Sequence, residues 1–323
     1  MRRTLIVSLL LCVPAFAAPL DEARTLIDEG EFDEARAMLE RSVEESALEA
    51  QSLILLTRLS NDLEDYESGI RYGKKAVKLS PDSSDAHYQY AVALRTKMSE
   101  VSKVKAMFSL GTYKKELRTA LELDPDSADA RNEEIGFLVN APGFAGGDMD
   151  QAWQRALELE EIDWRHGLRW QAEIQFLKKD GDAGMATLRE MLEKDPEGTG
   201  TRFQLALRYQ ARAQYDEADR EFEILQAGDE PRLSMNALYQ RARSRVIGEY
   251  EQEQAIALLQ KYLETMPNDP EGIPGKESAY WRMGNAYEQL GRTDEARRAY
   301  ETSLGVKETE EARKSLRALD KRR

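Results

Sequence analysis

Few side chains in this sequence are equipped for covalent or metal chemistry. Two histidines, His87 and His166, and one cysteine, Cys12, are its whole stock of imidazole and thiol. Neither histidine stands in an H-E-x-x-H or comparable ligand spacing, so both are expected in structural or exposed roles. No G-x-S-x-G elbow is present, and no His is placed by sequence to serve a Ser. Carboxylate pairs such as Glu160-Glu161, or the run Glu308, Glu310 and Glu311, are numerous among 60 acidic residues and read as solvated helix faces. The Asp-rich stretches lack the spacing of an EF-hand loop. The glycine-rich stretch Asn140 to Asp148 lacks the Lys-Ser/Thr pair of a P-loop, and no strand precedes it. There Pro142 is expected to break one helix, Gly146-Gly147 to turn, and Asp148 to cap the next. These residues predict no catalytic group, no metal site and no cofactor.

Composition narrows the remaining classes. Of 323 residues, 41% are apolar and 33% charged, with a formal net charge of −14. The apolar content is that of a folded chain. The acidity argues against a nucleic-acid binder or a polybasic membrane anchor. Arg2 and Arg3, the apolar run Thr4 to Val13 and Ala15-Phe16-Ala17 have the three-part build of a secretory signal over residues 1–17. The run is too short to span a bilayer, which takes about 20 apolar residues. Cleavage after Ala17 would remove Cys12 and leave an exported, thiol-free chain stabilised by packing alone. A periplasmic or secreted location is therefore expected, with no transmembrane span.

What must position any functional surface is a repeat. Pro81, Pro125, Pro196 and Pro267 close similar phrases, separated by 44, 71 and 71 residues. A small residue recurs at Ala35, Gly69, Ala152, Gly184, Ala218, Ala255 and Ala296, and the steps 35→69 and 184→218 are both 34. From Thr199 to Glu230, Leu205, Ala206 and Tyr209 share one helix face, and Tyr215, Ala218, Phe222 and Leu225 form a stripe on the next. Ala206, Ala218 and Gly284 stand where paired helices would approach most closely.

A 34-residue period built from helix pairs resembles the tetratricopeptide repeat family. The resemblance implies an all-α, right-handed solenoid of about eight helix pairs, over residues 18–306. The units fall at about 20–49, 50–83, 84–127, 128–163, 165–198, 199–230, 231–267 and 277–306. Residues 307–323 follow as a C-terminal capping helix, with Ala312, Leu316 and Leu319 inward, and a basic tail. Three insertions interrupt the array, at 97–105, 140–148 and 268–276. The stretch from Phe137 to Ala152, and the segment from Leu238 through Trp281 to Leu316, also resemble exported bacterial members of the family.

In that family the first helix of each pair lines a groove whose exposed positions select a protein or peptide. By register those positions are Ile54, Arg58, Tyr88, Arg95, Arg169, Phe203, Tyr239, Arg243, Trp281 and Asn285. Aromatic and Arg side chains of this kind dominate binding hot spots. Members that clamp a C-terminal carboxylate carry a Lys where Trp281 stands here, so that ligand is not supported. The function expected is a non-catalytic scaffold or adaptor binding an envelope protein or peptide. A solute-binding accessory of a transport system is the alternative, ahead of an enzyme.

Overall fold

A computed structural model of the chain describes residues 18–45, 49–267 and 271–321. The expected export signal, residues 268–270 of the third insertion and the last two residues of the basic tail lie outside them. Among the described residues there are seventeen α-helices and no strand. They divide into two compact units, 1–170 and 171–323.

The first unit holds α1 (Ala18–Asp28), α2 (Phe32–Glu44), α3 (Glu49–Asp62), α4 (Tyr66–Leu79), α5 (Ser84–Glu100), α6 (Lys103–Leu123), α7 (Ala128–Asn140) and α8 (Met149–Ile162). The division falls inside α9 (Trp164–Leu177). The second unit continues with α10 (Gly181–Lys194), α11 (Thr199–Ala211), α12 (Tyr215–Gln226), α13 (Pro231–Ile247) and α14 (Gln252–Thr265). It closes with α15 (Lys276–Gln289), α16 (Thr293–Val306) and α17 (Glu310–Asp320). Within each unit successive helices pack on one another, and α1, α3 and α5, like α13, α15 and α17, also touch in turn. Contact both to the next helix and to the next but one is the signature of stacked hairpins, in which each pair buries its apolar face only against neighbours.

Six hairpins turn in the same way. After α1, α3, α9, α11, α13 and α15 one residue takes positive φ: Gly30, Glu64, Lys179, Ala213, Glu249 and Gly291. The following amide reaches back five residues, as in Glu31 N to Leu26 O (2.8 Å) and Gln214 N to Tyr209 O (3.0 Å). This is a Schellman turn, which satisfies carbonyls that a helix end leaves bare. Starts are closed by side chains: Asp65, Ser83, Ser127, Asp148, Asp180 and Thr309 each accept an amide of the following turn. Pro81, Pro125, Pro196 and Pro267 stand two residues beyond the ends of α4, α6, α10 and α14, as expected of a residue that cannot extend a helix.

The recurring small residues lie at the helix crossings. Ala35, Ala152, Ala206, Ala218, Ala255 and Ala296 are wholly buried. A Cβ on Gly184 would lie 2.7 Å from the Phe176 ring, and one on Gly69 would lie 3.0 Å from Ala93 Cβ. At Gly284 the ring of Tyr300 occupies the space a side chain would need. Larger groups there would force the paired helices apart.

The insertions at 97–105 and 140–148 fall in the other two hairpins; in the second the same back-bond, Gly147 N to Pro142 O (3.1 Å), closes a 3-10 turn instead of a helix end. The first lengthens both helices around a break at Val101-Ser102, giving α6 21 residues against 14 for α4 and α8. The second is a 3-10 turn over Gly143–Ala145, with Gly146 at φ 104° and Asp148 capping α8 through Oδ1. In the third, residues 271–275 form a turn before α15, so Lys276 belongs to the helix. His87 is a core group: Nδ1 meets the buried Glu116 carboxylate at 2.5 Å and Nε2 faces Pro81 O at 3.0 Å. His166, half-exposed, pairs with Asp163 at 2.7 Å.

One ion-pair network ties α12 to α13. Asp219 accepts from Arg241 (3.1 and 3.2 Å) and from Arg245 (2.5 and 3.0 Å), and Arg245 is 6% exposed. Burial acts to raise the Asp219 pKa, but the hydrogen bonds from Arg245 and Arg241 outweigh it and hold the carboxyl below its ordinary value.

Two outcomes follow in thermal or urea denaturation of the purified chain. Ala218→Leu overpacks the α11–α12 crossing and lowers stability by about 1–3 kcal/mol, whereas Ala227→Leu, at the end of α12, has little effect. Asp219→Asn removes the carboxylate that two guanidiniums share, leaving Arg241 to Glu223 and Arg245 to Glu251, and costs about 1–3 kcal/mol at neutral pH. Because the native pKa is lowered, that deficit holds above about pH 3.8 and narrows as the pH falls through the native value.

Candidate functional site

The first-helix positions named from the sequence separate into two groups. In the second unit each has a packing or hydrogen-bond partner within the fold. Tyr239, 6% exposed, packs its ring 5.5 Å from that of Tyr262 in the core, and with Trp281 and Arg282 it borders a cavity of ≈ 450 Å³. Phe203 stacks edge-on against Phe222 at 5.7 Å. Trp281 packs on the cluster of Ala296, Tyr300 and Leu319 and donates from Nε1 to Ser315 Oγ at 3.0 Å, so α17 covers part of it. Asn285 accepts from Tyr300 OH at 2.8 Å across its own hairpin. Arg243 donates to Gln210 Oε1 and to Gln240 Oε1 (3.1 Å), and burial together with the nearby Arg282 lowers its pKa.

In the first unit the predicted residues face accessible space. A cavity of ≈ 500 Å³ is lined by Arg24 of α1, Ile54 and Arg58 of α3, Asp85 and Tyr88 of α5, and Asp129 of α7. Arg58 is exposed and only 3.9 Å from Asp62, a loose pair. Tyr88 is half-buried; burial, then the carboxylates of Asp129 and Glu133, push its phenol pKa up, so it stays a neutral hydrogen-bonding group. A second cavity, of ≈ 580 Å³, is lined by Arg95, Met98, Asn132, Glu133, Phe137 and Trp170 among others.

The second cavity is built on pairs between neighbouring first helices. Arg95 Nε meets Glu133 at 2.9 Å, and Tyr113 OH donates to the same carboxylate at 3.0 Å. Asn132 Oδ1 accepts from both Arg169 (2.9 Å) and Trp170 Nε1 (2.8 Å). Burial raises the Glu133 pKa, against the opposing pull of Arg95. The result is a strip of guanidinium, phenol, amide and indole edges, fixed in place by partners 20, 37 or 38 residues away. Such groups can bind a polypeptide's backbone and side chains. Among the described residues no group of three or more His, Cys, Asp or Glu is placed to hold a metal ion.

Sequence reasoning found Arg58, Tyr88, Arg95 and Arg169 but missed Asn132, Glu133, Tyr113 and Trp170. Asn132-Glu133-Glu134 is three polar residues in a row and looks like a solvated face. The available signal was the spacing: Arg95 and Glu133 are opposite charges about one lengthened repeat apart.

The Arg95–Glu133 pair yields a pH test. Arg95→Ala leaves a buried carboxylate without its cation and raises the native Glu133 pKa further. The neutral acid is then the form the fold prefers, so the variant matches wild type below about pH 4.5 and falls behind as the pH rises through the native value. The thermal midpoint at neutral pH should report a deficit of about 1–3 kcal/mol, largely recovered in Arg95→Ala/Glu133→Gln.

Models of the tetratricopeptide repeat match residues 20–84 and 277–310. A thermophilic tetratricopeptide-repeat protein of Thermus thermophilus superposes with a TM-score of 0.51 and 18% identity, over 60% of this chain and 98% of that one. The APC/C hetero-tetramer Cut9–Hcn1 superposes with a TM-score of 0.51 and 12% identity, over 93% of this chain and 55% of that chain. At these identities the likeness is one of fold. No curated protein matches the sequence. The chain thus carries tetratricopeptide repeats at residues 20–84 and 277–310, within a fold of hairpins stacked through small residues.

Proposed function

We propose that this protein is an exported, non-catalytic interaction module that holds a polypeptide along the first-helix strip of its first unit. Tetratricopeptide repeats are in general protein-interaction scaffolds, and two matched repeat segments support that class. The observation that carries the reading is the strip itself: Arg58 and Tyr88 border a cavity of ≈ 500 Å³, Arg95, Asn132 and Trp170 border another of ≈ 580 Å³, and Arg169 donates to Asn132. Arg, Tyr and Trp are the residues that most often carry binding energy, and here several are already held by Glu133 and Asn132. A pre-positioned side chain loses less rotamer entropy when a partner arrives, which favours binding without chemistry. Export rests on the charged, apolar and small-residue order of the first 17 residues.

The test is capture by the purified, tagged chain from envelope extract, compared with Arg58→Glu/Arg169→Glu. Both arginines are exposed and bonded only at the surface, so the substitution should cost at most about 1 kcal/mol of stability. Wild type should retain a discrete partner that the double variant loses, with an unchanged circular dichroism spectrum. Equal recovery by both would remove the strip from the binding surface. Export is checked separately by fractionation and N-terminal sequencing, which should show a chain beginning at Ala18.

A further inference from the structure

The longest helix carries apolar groups that its own fold leaves bare. Helix α6 exceeds α4 and α8 by seven residues, and the excess lies at its start, since α6 ends two residues before Pro125 just as α4 ends two before Pro81. Seven residues of helix amount to about 10 Å. Within that overhang Val104, Met107 and Phe108 are 70%, 61% and 83% exposed. They fall at i, i+3 and i+4, one stripe of an amphipathic helix. Further along the same face come Gly111, Lys115 and Arg118, all exposed. The loop after α7 packs beside Lys114 of α6 and shows Phe144, 85% exposed, on the same edge of hairpin turns.

Charge is segregated here too. The chain has a net charge of −14, yet residues 95–118 contain seven Lys or Arg and two Glu. Lys97 to Phe108 alone hold three Lys and one Glu. Bare apolar side chains flanked by Lys are the makings of an interfacial contact, the apolar groups entering the headgroup boundary and the amines remaining at its surface. Basic groups beside that boundary favour anionic lipid. An overhang of about 10 Å also sets the acidic body roughly one screening length away at physiological salt, where its repulsion from such a surface is weakened. No described helix is long and apolar enough to cross a membrane, so any attachment through α6 is peripheral.

We propose that the α5–α6 overhang docks the protein on a lipid surface bearing anionic headgroups, with Val104, Met107 and Phe108 inserted and Lys97 and Lys105 at the headgroups. The site lies at the hairpin tips rather than along the first-helix strip, so it stands or falls independently of the polypeptide partner.

Vesicle co-sedimentation of the full chain tests this, with phosphatidylglycerol–phosphatidylethanolamine vesicles against phosphatidylcholine alone. Wild type should partition onto the anionic vesicles and scarcely onto the zwitterionic ones. Val104→Ser/Met107→Ser/Phe108→Ser should lose roughly tenfold or more in bound fraction, and Lys97→Glu/Lys105→Glu should lose the preference for anionic lipid. All five side chains are partly or fully exposed, so the thermal midpoint should stay near wild type and separate lost docking from lost folding. The proposal is overturned if wild type ignores both vesicle types or if the Ser variant binds as wild type does. It is equally overturned if sedimentation without lipid shows an overhang-dependent dimer. A photo-crosslinker at Phe108 that captures an acidic protein while vesicle binding is absent would assign the patch to a protein instead.

Discussion

The closeness with which the two helices of each hairpin cross governs everything else in the molecule. Where Ala35, Ala152, Ala206, Ala218, Ala255 and Ala296 lie, no solvent reaches the side chain, and at Gly184 and Gly284 an aromatic ring from the partner helix fills the place of a Cβ. Helices brought this near make dense van der Waals contact over several turns, and interiors of that density do not stretch to admit a larger group. The crossing fixes the pitch of the hairpin, the hairpin fixes which faces remain for its neighbours, and the exposed first-helix positions are the remainder.

Regularity in the turns matters as much as regularity in the crossings. Six hairpins close through a positive-φ residue and a five-residue back-bond, supplied at Gly30 and Gly291 without steric cost and elsewhere by Glu64, Lys179, Ala213 and Glu249. The other two, α5–α6 and α7–α8, carry the inserted residues, and the second makes its back-bond only after a 3-10 segment. Their longer connections expose Val104, Met107, Phe108 and Phe144 and border the cavity built around Glu133 and Trp170. Insertions in a stacked repeat are excluded from the core by the neighbouring hairpins, so they add surface rather than disturb packing.

The units spend the same residue types differently. In the first, Arg95, Arg169 and Trp170 use partners on adjacent first helices and keep an accessible edge. In the second, Tyr239, Phe203, Trp281 and Asn285 are committed to Tyr262, Phe222, Ser315 and Tyr300. Arg241 and Arg245 are likewise absorbed by Asp219, where two cations on one carboxylate knit α12 to α13. In both units these side chains are fixed by partners within the fold, and in the second Tyr239 and Trp281 still border a cavity of ≈ 450 Å³.

From the sequence alone came the helix pairs, their period, the buried small residues, the Pro-terminated ends and the cap at Asp148. All of these depend on neighbours within a turn or two, where a residue's own conformational limits decide the outcome. Sequence could not say that Tyr239 is core while Arg58 stands exposed, that Glu133 is buried against Arg95 and Tyr113, or that His87 meets Glu116 across the hairpin. Those depend on side chains from elements some 20 to 40 residues distant, and only when the hairpins stack does it become fixed which polar groups share a space with no water.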